Sequence, residues 1–441
     1  MKKIIKSAFA LTTLFTLIAC NHSNAFTVSK QLRSPEGVSR NYTYSDFRDE
    51  NYLAFKKKLN VFSERISESF VGSEYEDGKN IAVSPLSIEL CLGLAVRSAD
   101  GNTRKEMLDA MGVDFATFNQ YYKVLFEEYN FLYQSYVKEI EDQMILTNSI
   151  WIDDEITLKD SGLDALRDDY YCYSFEADFN RSQEKTCKDM QKFIKESTKG
   201  LINPELKFSP LTVFVLMNTL YLKDIWNQDG DELTLASEDY TFTNSDKTVS
   251  NKRLLQSYYQ SGRVIQTMDY SSFYTVTEHG FRIQFIKPNE GKTVKDVMDK
   301  ATMEYVSDYQ NYVYKDDEKL ERYYTNCIFP EFTADSDLSI VDMLKGFGIR
   351  ELFDPDYCNF SNLTDKEVYC DEVRHITKLR VDKKGIEGAA VTYMAMCATS
   401  APWEEEYKDI YETFVVDRDF GFILSKDNSV IFSGVVTNID K

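Results

Sequence analysis

Apolar side chains recur every three or four residues in the stretch that begins near residue 50: Phe55, Leu59, Phe62, Ile66 and Phe70. This spacing predicts an amphipathic helix over residues 50–71, which Gly72 would end. The run 86–96 is apolar on almost every side, so it predicts a helix that is buried all round. Further helices are predicted over residues 102–111 and 115–140.

Short apolar runs of strand length dominate the remainder of the chain. Residues 211–222 are almost continuously apolar, which is typical of a central strand that is covered on both faces. Residues 144–152 and 281–285 also predict strands, and the closing pair 420–425 and 429–436 flanks a Lys-Asp-Asn turn. Two helices are predicted among these strands, over residues 163–171 and 187–198. Because helices come first and strands later, without regular βαβ alternation, the pattern predicts an α+β fold.

The segment from Val381 to Ser400 combines a strand pattern with loop-like surroundings. From Gly385 onward its residues are small, β-branched or apolar, only Glu387 is charged, and proline is absent. Every backbone N–H there could therefore join a β-ladder. The charged stretch 403–409 that follows belongs in water. We therefore expect a strand that is capable of burial but is displayed as a loop.

The first residues have the pattern of an export signal. Three lysines precede an apolar run that is too short to span a bilayer, and small residues lead up to Cys20. This arrangement resembles a bacterial lipoprotein signal, in which residues 1–19 are removed and Cys20 is lipidated; the alternative is an ordinary secretory signal with a coincidental cysteine. Residues 20–45, rich in Ser and Asn, predict a flexible tether. We expect an exported protein that is lipid-anchored in the bacterial cell envelope, at the outer membrane or the cell surface.

Composition and charge limit the classes of function. The chain has 51 basic and 72 acidic residues, a formal net charge of −21 and no basic patch, so nucleic acid would be repelled. Apart from Cys20, an odd number of cysteines remains without Cys-x-x-Cys spacing, and we predict neither a disulfide framework nor a metal site. Only 3 histidines are available for acid–base chemistry, and Gly-x-Ser-x-Gly, His-Glu-x-x-His and phosphate-loop motifs are absent. We expect that the protein is not an enzyme and has no cofactor.

A series of short motifs resembles the serpin family in sequence and in order, over nearly the whole mature chain. The motifs are 80–88 with 101–103, 218–226, 288–291, 330–332, 344–349, His375 ahead of a strand, 385–390, 414–420 and 434–438. Each motif is weak alone, but their common order makes the resemblance specific.

The resemblance implies one serpin domain over residues 46–441, with three β-sheets, eight to nine helices and an exposed reactive-centre loop. It also implies suicide inhibition of a serine protease. The protease attacks the loop and forms an acyl-enzyme, and the freed loop inserts into the central sheet and carries the protease with it. A monomer is expected, and a cysteine protease is an alternative target.

The resemblance assigns roles within the reactive loop. The hinge comprises Lys383, Lys384, Gly385, Ile386, Glu387, Gly388, Ala389 and Ala390. The inserted part comprises Val391, Thr392, Tyr393, Met394, Ala395, Met396, Cys397 and Ala398. The scissile bond is expected between Thr399 and Ser400, with Met394, Met396 and Ala398 as alternatives. Since neither Lys nor Arg occurs between Lys384 and Lys408, a protease that prefers small or apolar residues, elastase-like or subtilisin-like, is expected.

The resemblance also implies a polar cluster beneath the central sheet where the sheet opens, formed by Ser84, Ser87, Asn218 and His375 with Trp226. The alternative is that these are simply satisfied buried polar groups. The hinge departs from the usual inhibitor pattern at Lys383, Ile386 and Gly388. A non-inhibitory binding protein with the same fold therefore stays open as a second function.

Overall fold

The computed structural model of the protein describes residues 26–36, 41–134, 141–209, 212–226, 232–307, 314–370, 372–388 and 407–440. The helices in these ranges are α1 (Glu50–Glu74), α2 (Pro85–Ser98), α3 (Gly101–Met111), α4 (Phe115–Tyr129), α5 (Asp160–Tyr170), α6 (Gln183–Ser197), α7 (Val294–Val297), α8 (Lys300–Ser307) and α9 (Val341–Gly346). No helix among the described residues combines the length and apolarity needed to cross a bilayer.

The strands of the described residues form three large sheets and one hairpin. The central sheet has the order β1 (Lys30–Arg33), β5 (Cys172–Ala177), β4 (Glu141–Asp153), β6 (Phe214–Ile225), β19 (Gly385–Gly388), β18 (Arg374–Val381) and β17 (Phe332–Ser339), and β3 (Phe131–Gln134) also pairs with β4. The second sheet has the order β11 (Gln260–Ser261), β16 (Glu321–Phe329), β10 (Leu255–Gln256) and β7 (Thr234–Leu235), with β15 (Lys315–Asp316) and β20 (Lys408–Val415) also on β16. The third sheet has the order β12 (Ile265–Gln266), β13 (Tyr270–Val276), β14 (Arg282–Pro288), β21 (Phe420–Lys426), β22 (Ser429–Val436) and β2 (Ile81–Val83), and the hairpin is β8 (Tyr240–Thr243) with β9 (Val249–Lys252).

The main hydrophobic core lies where α1 and α2 pack on β22 of the third sheet. Helix α2 is apolar all round because it is also covered by β6 and α3, so Leu90 and Leu94 are both fully buried. Helix α1 begins at the carboxylate of Asp49, which accepts hydrogen bonds from the backbone N–H groups of Asn51 and Tyr52. The α+β class and the three sheets predicted from the chain are confirmed.

Two predicted helix ends are wrong. Helix α1 continues beyond Gly72, because glycine inside a helix costs only about 1 kcal/mol and the neighbouring Val71 is buried in the core. Helix α4 ends at Tyr129, well before the predicted end. The side-chain amide of Asn130 instead donates to the carbonyl oxygen of Leu146 at 3.2 Å, and strand β3 follows.

Part of the predicted tether is packed on the domain, and we call residues 26–36 the N-terminal strap. Three successive backbone N–H groups, of residues 27–29, donate to the carboxylate of Asp189 on α6 at 2.7 to 3.0 Å. The Phe26 ring packs edge-on against Trp151 with 5.5 Å between ring centroids. Strand β1 then pairs antiparallel with β5. The strap therefore joins the edge of the central sheet to helix α6.

Candidate functional site

The central sheet contains the first residues of the expected reactive loop. Strand β19 lies between β6 and β18 and pairs antiparallel with both strands. Ile386 stands opposite Asp224 of β6 and Val381 of β18. The expectation that the whole segment after Val381 is displayed as a loop is therefore wrong for Gly385–Gly388, because these residues already have ladder partners on both sides.

Glycine is required where the hinge enters the sheet. A Cβ atom on Gly385 would lie 2.0 Å from the carbonyl oxygen of Asp224, closer than any van der Waals contact allows. The following side chain, Ile386, is only 1% exposed. Its bulk is therefore accommodated inside the protein, and its apolar character stabilises the position of the hinge.

The turn that leads into β19 is held by Trp226. Its indole Nε1 donates to the carbonyl oxygen of Asp382 at 2.7 Å, and its backbone N–H donates to the carbonyl oxygen of Lys384 at 3.4 Å. The Trp226 ring is buried and packs on Phe329 at 5.6 Å between centroids. Trp226 therefore holds the turn through which the chain enters the central sheet.

Polar contacts tie the hinge to its neighbours. The Lys383 Nζ lies 2.7 Å from a carboxylate oxygen of Glu232, and the Lys383 backbone N–H donates to Glu331 at 3.0 Å. The Tyr221 hydroxyl donates to the carboxylate of Glu387 at 3.2 Å. Burial, with the nearby Glu387 charge, raises the pKa of Tyr221, so this hydroxyl remains a donor at neutral pH.

A buried acid–histidine pair lies beside the hinge. The Asp224 carboxylate is 2.7 Å from Nδ1 of His279. Burial raises the pKa of Asp224, while the hydrogen bond and charge of His279 act in the opposite direction. The sequence analysis missed this pair; the available signal was a carboxylate two positions before Trp226, near the end of a mostly apolar strand.

Four of the residues assigned to the sheet-opening cluster meet below β6 and β18. The backbone N–H of Ser84 donates to Nε2 of His375 at 3.1 Å, and its hydroxyl caps helix α2 by accepting from the N–H of Ser87. The Ser87 hydroxyl donates to Oδ1 of Asn218 at 2.6 Å. The N-terminus of α2 therefore connects β18 to β6 through side chains. Trp226 does not belong to this group, since it binds the hinge turn instead.

The hydrogen-bonded chain extends further than the sequence indicated. Asn218 Nδ2 donates to Oδ1 of Asn148 on β4 at 2.9 Å, and Asn148 Nδ2 donates to the Tyr122 hydroxyl oxygen at 2.9 Å. Asn148 is fully buried. An asparagine inside an apolar strand was a usable signal, because asparagine is depleted in strands. Its partner Tyr122 had no such signal, since tyrosine is common on helices that pack in cores.

His375 is uncharged in this setting. Burial lowers its pKa to about 4, because desolvation penalises the imidazolium. Its Nε2 accepts the hydrogen bond from Ser84, and only a neutral ring nitrogen can accept. The cluster therefore bridges the two strands without a net charge that would oppose burial.

Below β19, strands β6 and β18 border a cleft. Residues 215–220 line one side and residues 372–378 line the other. Ser87 and Cys91 of α2 face the cleft from one surface of the sheet, and Phe208, which follows α6, faces it from the other. Among the described residues β6 and β18 are joined through β19 and make no ladder with each other. This cleft lies between the two strands that flank β19, in the direction in which β19 would continue.

Several assigned residues lie outside the described ranges. They are Cys20, the hinge residues Ala389 and Ala390, the inserted residues 391–398, and the scissile pair Thr399 and Ser400.

One group of acidic side chains has spacing that could hold a cation. Ligand atoms of Asp153, Asp154 and Asp178 lie within 4.8 Å of one another. These oxygens are engaged by protein donors: Asp153 accepts from the N–H of Phe179 at 3.1 Å, and Asp154 pairs with Arg181. The arrangement is explained by these contacts alone.

The fold resembles those of solved serpins. A thermophilic serpin, Tengpin, in its native state matches with a TM-score of 0.71 at 21% identity, covering 93% of this chain and 100% of that chain. Human thyroxine-binding globulin complexed with its hormone matches with a TM-score of 0.69 at 17% identity, covering 88% and 99%. At these identities the likeness establishes the fold alone.

Sequence comparison gives the family. Human neuroserpin is 26% identical over 383 residues, which cover 82% of this chain and 86% of that protein. The sequence model of the family described as Serpin (serine protease inhibitor) matches residues 58–439, which contain the hinge, the cluster and the cleft. The chain therefore belongs to the serpin family.

Proposed function

We propose that the protein inhibits a serine endopeptidase as a suicide substrate, by cleavage of its reactive loop and insertion of the freed loop into the central sheet. The observation that carries the proposal is strand β19. The hinge residues Gly385–Gly388 already pair with β6 and β18, and they point along the cleft between these strands. Insertion would therefore extend a strand that already exists.

The register of β19 supports a specific end state. If the two registers continue without a shift, Thr392 comes opposite Asn218 of β6 and His375 of β18. The cluster would then lie under the middle of the inserted strand. Small or β-branched side chains at Ala390 and Thr392 suit such a position in a closely packed sheet.

The free energy that loop insertion would release supports the proposed trapping of the protease. An inserted strand of this length would add on the order of ten hydrogen bonds at about 1 kcal/mol net each. This sum is comparable with the total stability of a typical domain, about 5–15 kcal/mol. Insertion could therefore distort the active site of an attached protease before the acyl-enzyme is hydrolysed.

The chemistry of the loop favours a protease with a shallow or apolar pocket. Residues 385–407 contain neither Lys nor Arg, so a pocket that requires a basic side chain has no anchor there. We place the scissile bond between Thr399 and Ser400. Elastase-like and subtilisin-like serine proteases are the proposed targets, with cysteine proteases of similar preference as an alternative.

The test is complex formation with pancreatic elastase and with subtilisin. The wild-type chain should give a covalent complex that survives SDS and boiling. Thr392→Arg should be cleaved at the same bond without forming a complex, because a charged side chain would have to enter the sheet beside His375; the matched control Thr392→Ser should still trap. Cleavage of every wild-type molecule without any complex would refute the proposal.

A second candidate function is non-inhibitory binding at the cell envelope. The observation that favours it is the polar attachment of the hinge, in which Lys383 is held by Glu232 and Glu331. A hinge held in this way could anchor the loop permanently. Thermal melting before and after loop cleavage separates the two functions, since insertion should raise the midpoint by about 10 °C or more and a fixed loop should leave it unchanged.

We also propose that the protein is exported and anchored through a lipid on Cys20 in a bacterial envelope. Only residues 21–25 separate Cys20 from the docked Phe26, a reach of roughly 20 Å at full extension. The domain would therefore lie close to the membrane. Cys20→Ser should abolish palmitate labelling and release the protein from the membrane fraction, whereas Cys358→Ser should change neither; labelling that survives Cys20→Ser would contradict the anchor.

A further inference from the structure

The two ends of the reactive loop define the surface that an attacking protease approaches. The chain leaves the described part of the structure at Gly388, in the central sheet, and returns at Tyr407, next to the start of β20 in the second sheet. Between the proposed bond at Ser400 and Tyr411 of β20 the chain can span at most roughly 40 Å. A protease domain of about 200 residues has a radius of gyration of roughly 17 Å. A protease bound at the loop is therefore held within reach of the second sheet.

That sheet presents a group of tyrosines beside the returning chain. Tyr411 on β20 is 63% exposed and Tyr259, next to β11, is 48% exposed. Their rings meet edge-on at 5.2 Å between centroids, and Tyr411 stacks on Tyr324 of β16 at 5.5 Å. We call these three residues the tyrosine face.

The tyrosine face is preorganised by the strands that carry it. Tyr324 and Tyr411 are register partners in the parallel pair of β16 and β20, so their rings stand side by side on one surface of the sheet. Two residues further along these strands, on the same face, Arg322 and Asp409 form an ion pair at 2.8 Å. This pair carries no net charge. Rigid tyrosines with a paired-charge border are typical of the energetic centre of a protein interface.

We propose that the tyrosine face is a second contact surface for the protease that attacks the reactive loop. The proposal rests on the proposed inhibitory function and adds to it a determinant of target choice outside the loop. A second copy of this chain fits the face less well, because each copy carries a net charge of −21 and like charges repel over distance. The protease is the partner that the connection between the reactive loop and β20 keeps close to the tyrosine face.

The test compares Tyr259→Ala/Tyr411→Ala with Tyr357→Ala, using subtilisin as the probe. Tyr357 is 67% exposed and lies beside α3, so its removal controls for loss of a surface ring. The measured quantities are the second-order rate constant of inhibition and the number of inhibitor molecules consumed per protease. Tyr411→Ser alone provides a variant that removes only an exposed ring.

The double variant should lower the inhibition rate constant about five- to thirty-fold, as expected for loss of an interface tyrosine. Tyr411→Ser should lower it in the same direction. The inhibitor consumed per protease should stay constant, because insertion follows acylation and does not involve the tyrosine face. Tyr357→Ala should match wild type.

Four results would overturn the proposal. An unchanged rate constant with normal complex formation would refute the role of the tyrosine face and leave the proposed inhibitory function intact. A faster rate in the double variant would mean that residues 401–406 of the chain itself cover the face. A wild-type dimer in sedimentation that the double variant abolishes, with no change in rate, would assign the face to a second copy. Failure of the wild-type chain to form any complex would remove the inhibitory function and this proposal together.

Discussion

His375 joins strand β18 of the central sheet to the residue that caps helix α2. It is buried, its Nε2 accepts a hydrogen bond from Ser84, and burial lowers its pKa to about 4. In the unfolded chain the same ring titrates near its usual value of 6.5. Below pH 6.5 the unfolded chain therefore binds a proton that the folded protein does not, and the free energy of unfolding falls as the pH drops from 6.5 towards 4.

We predict that this dependence disappears in His375→Gln, which keeps an acceptor but does not titrate. Between pH 7 and pH 4.5 the wild-type chain should lose up to about 3 kcal/mol more free energy of unfolding than the variant, measured by urea unfolding at both pH values. The comparison with the variant is needed because burial raises the pKa of Glu89 to about 8, which gives the opposite slope between pH 4.5 and 8. A difference that is independent of pH would contradict the buried neutral histidine.

Gly385 provides the second residue-scale prediction. A Cβ atom there would collide with the Asp224 carbonyl oxygen, so Gly385→Ala should expel the hinge from the sheet and cost about 1–3 kcal/mol of free energy of unfolding. The fluorescence of Trp226 should change as its bond to Asp382 is lost. The control is Gly72→Ala, where a methyl group meets nothing within 4 Å. Equal stability and fluorescence in both variants would show that the hinge is not held as described.

The sequence predicted only those residues of the site that belong to the family's motifs. The order of the motifs indicated that Ser84, Ser87, Asn218 and His375 belong together, and the structure joins them by hydrogen bonds. Trp226 lies apart from them in the structure. The position of a residue in a motif does not show which group its side chain binds. The Asp224 partner of the hinge had to be found in three dimensions, since its histidine lies on a distant loop.

At the scale of elements, the N-terminal strap links the sheet edge to α6. The Asp189 carboxylate is buried and accepts three backbone hydrogen bonds from residues 27–29. Charge-assisted bonds of this kind are stronger than neutral ones. Residues that follow α6 also line the cleft, so the strap is bonded to a helix beside the cleft.

Asp189→Ala should release the strap. The loss of three hydrogen bonds should cost about 2–4 kcal/mol and should abolish the hydrogen-exchange protection of residues 27–33, measured by mass spectrometry. The matched control is Glu184→Ala on the same helix, which removes an exposed ion pair with Lys188 and should change stability by less than about 1 kcal/mol. Unchanged protection of the strap in Asp189→Ala would contradict the assigned contacts.

Helices and strands with a strong hydrophobic period were predictable from the sequence, but the residues at which they end were not. The periodic core positions gave α1 and α2, but Gly72 is a weak stop signal when the residue beside it is buried. The helical pattern after Tyr129 is overridden by the side chain of Asn130, which bonds to a neighbouring strand. The strap was interpreted as part of a tether because residues 20–45 are rich in Ser and Asn and have no period, and its anchor, Asp189, is far away in the chain.

At the scale of the whole molecule, the chain carries a partly inserted hinge above the cleft between β6 and β18. Under the proposed inhibitory function, cutting the loop would free the residues after Gly388 to extend the ladder that β19 begins. The polar cluster and α6 both border this cleft, and the strap is bonded to α6. The proposed insertion therefore depends on the elements around one sheet.

The most direct test is the crystal structure of the chain after cleavage between Thr399 and Ser400. We predict that residues 389–396 form a strand between β6 and β18, with Thr392 beside Asn218 and His375. A structure in which the severed segment lies in solvent while β6 and β18 pair with each other would contradict the account.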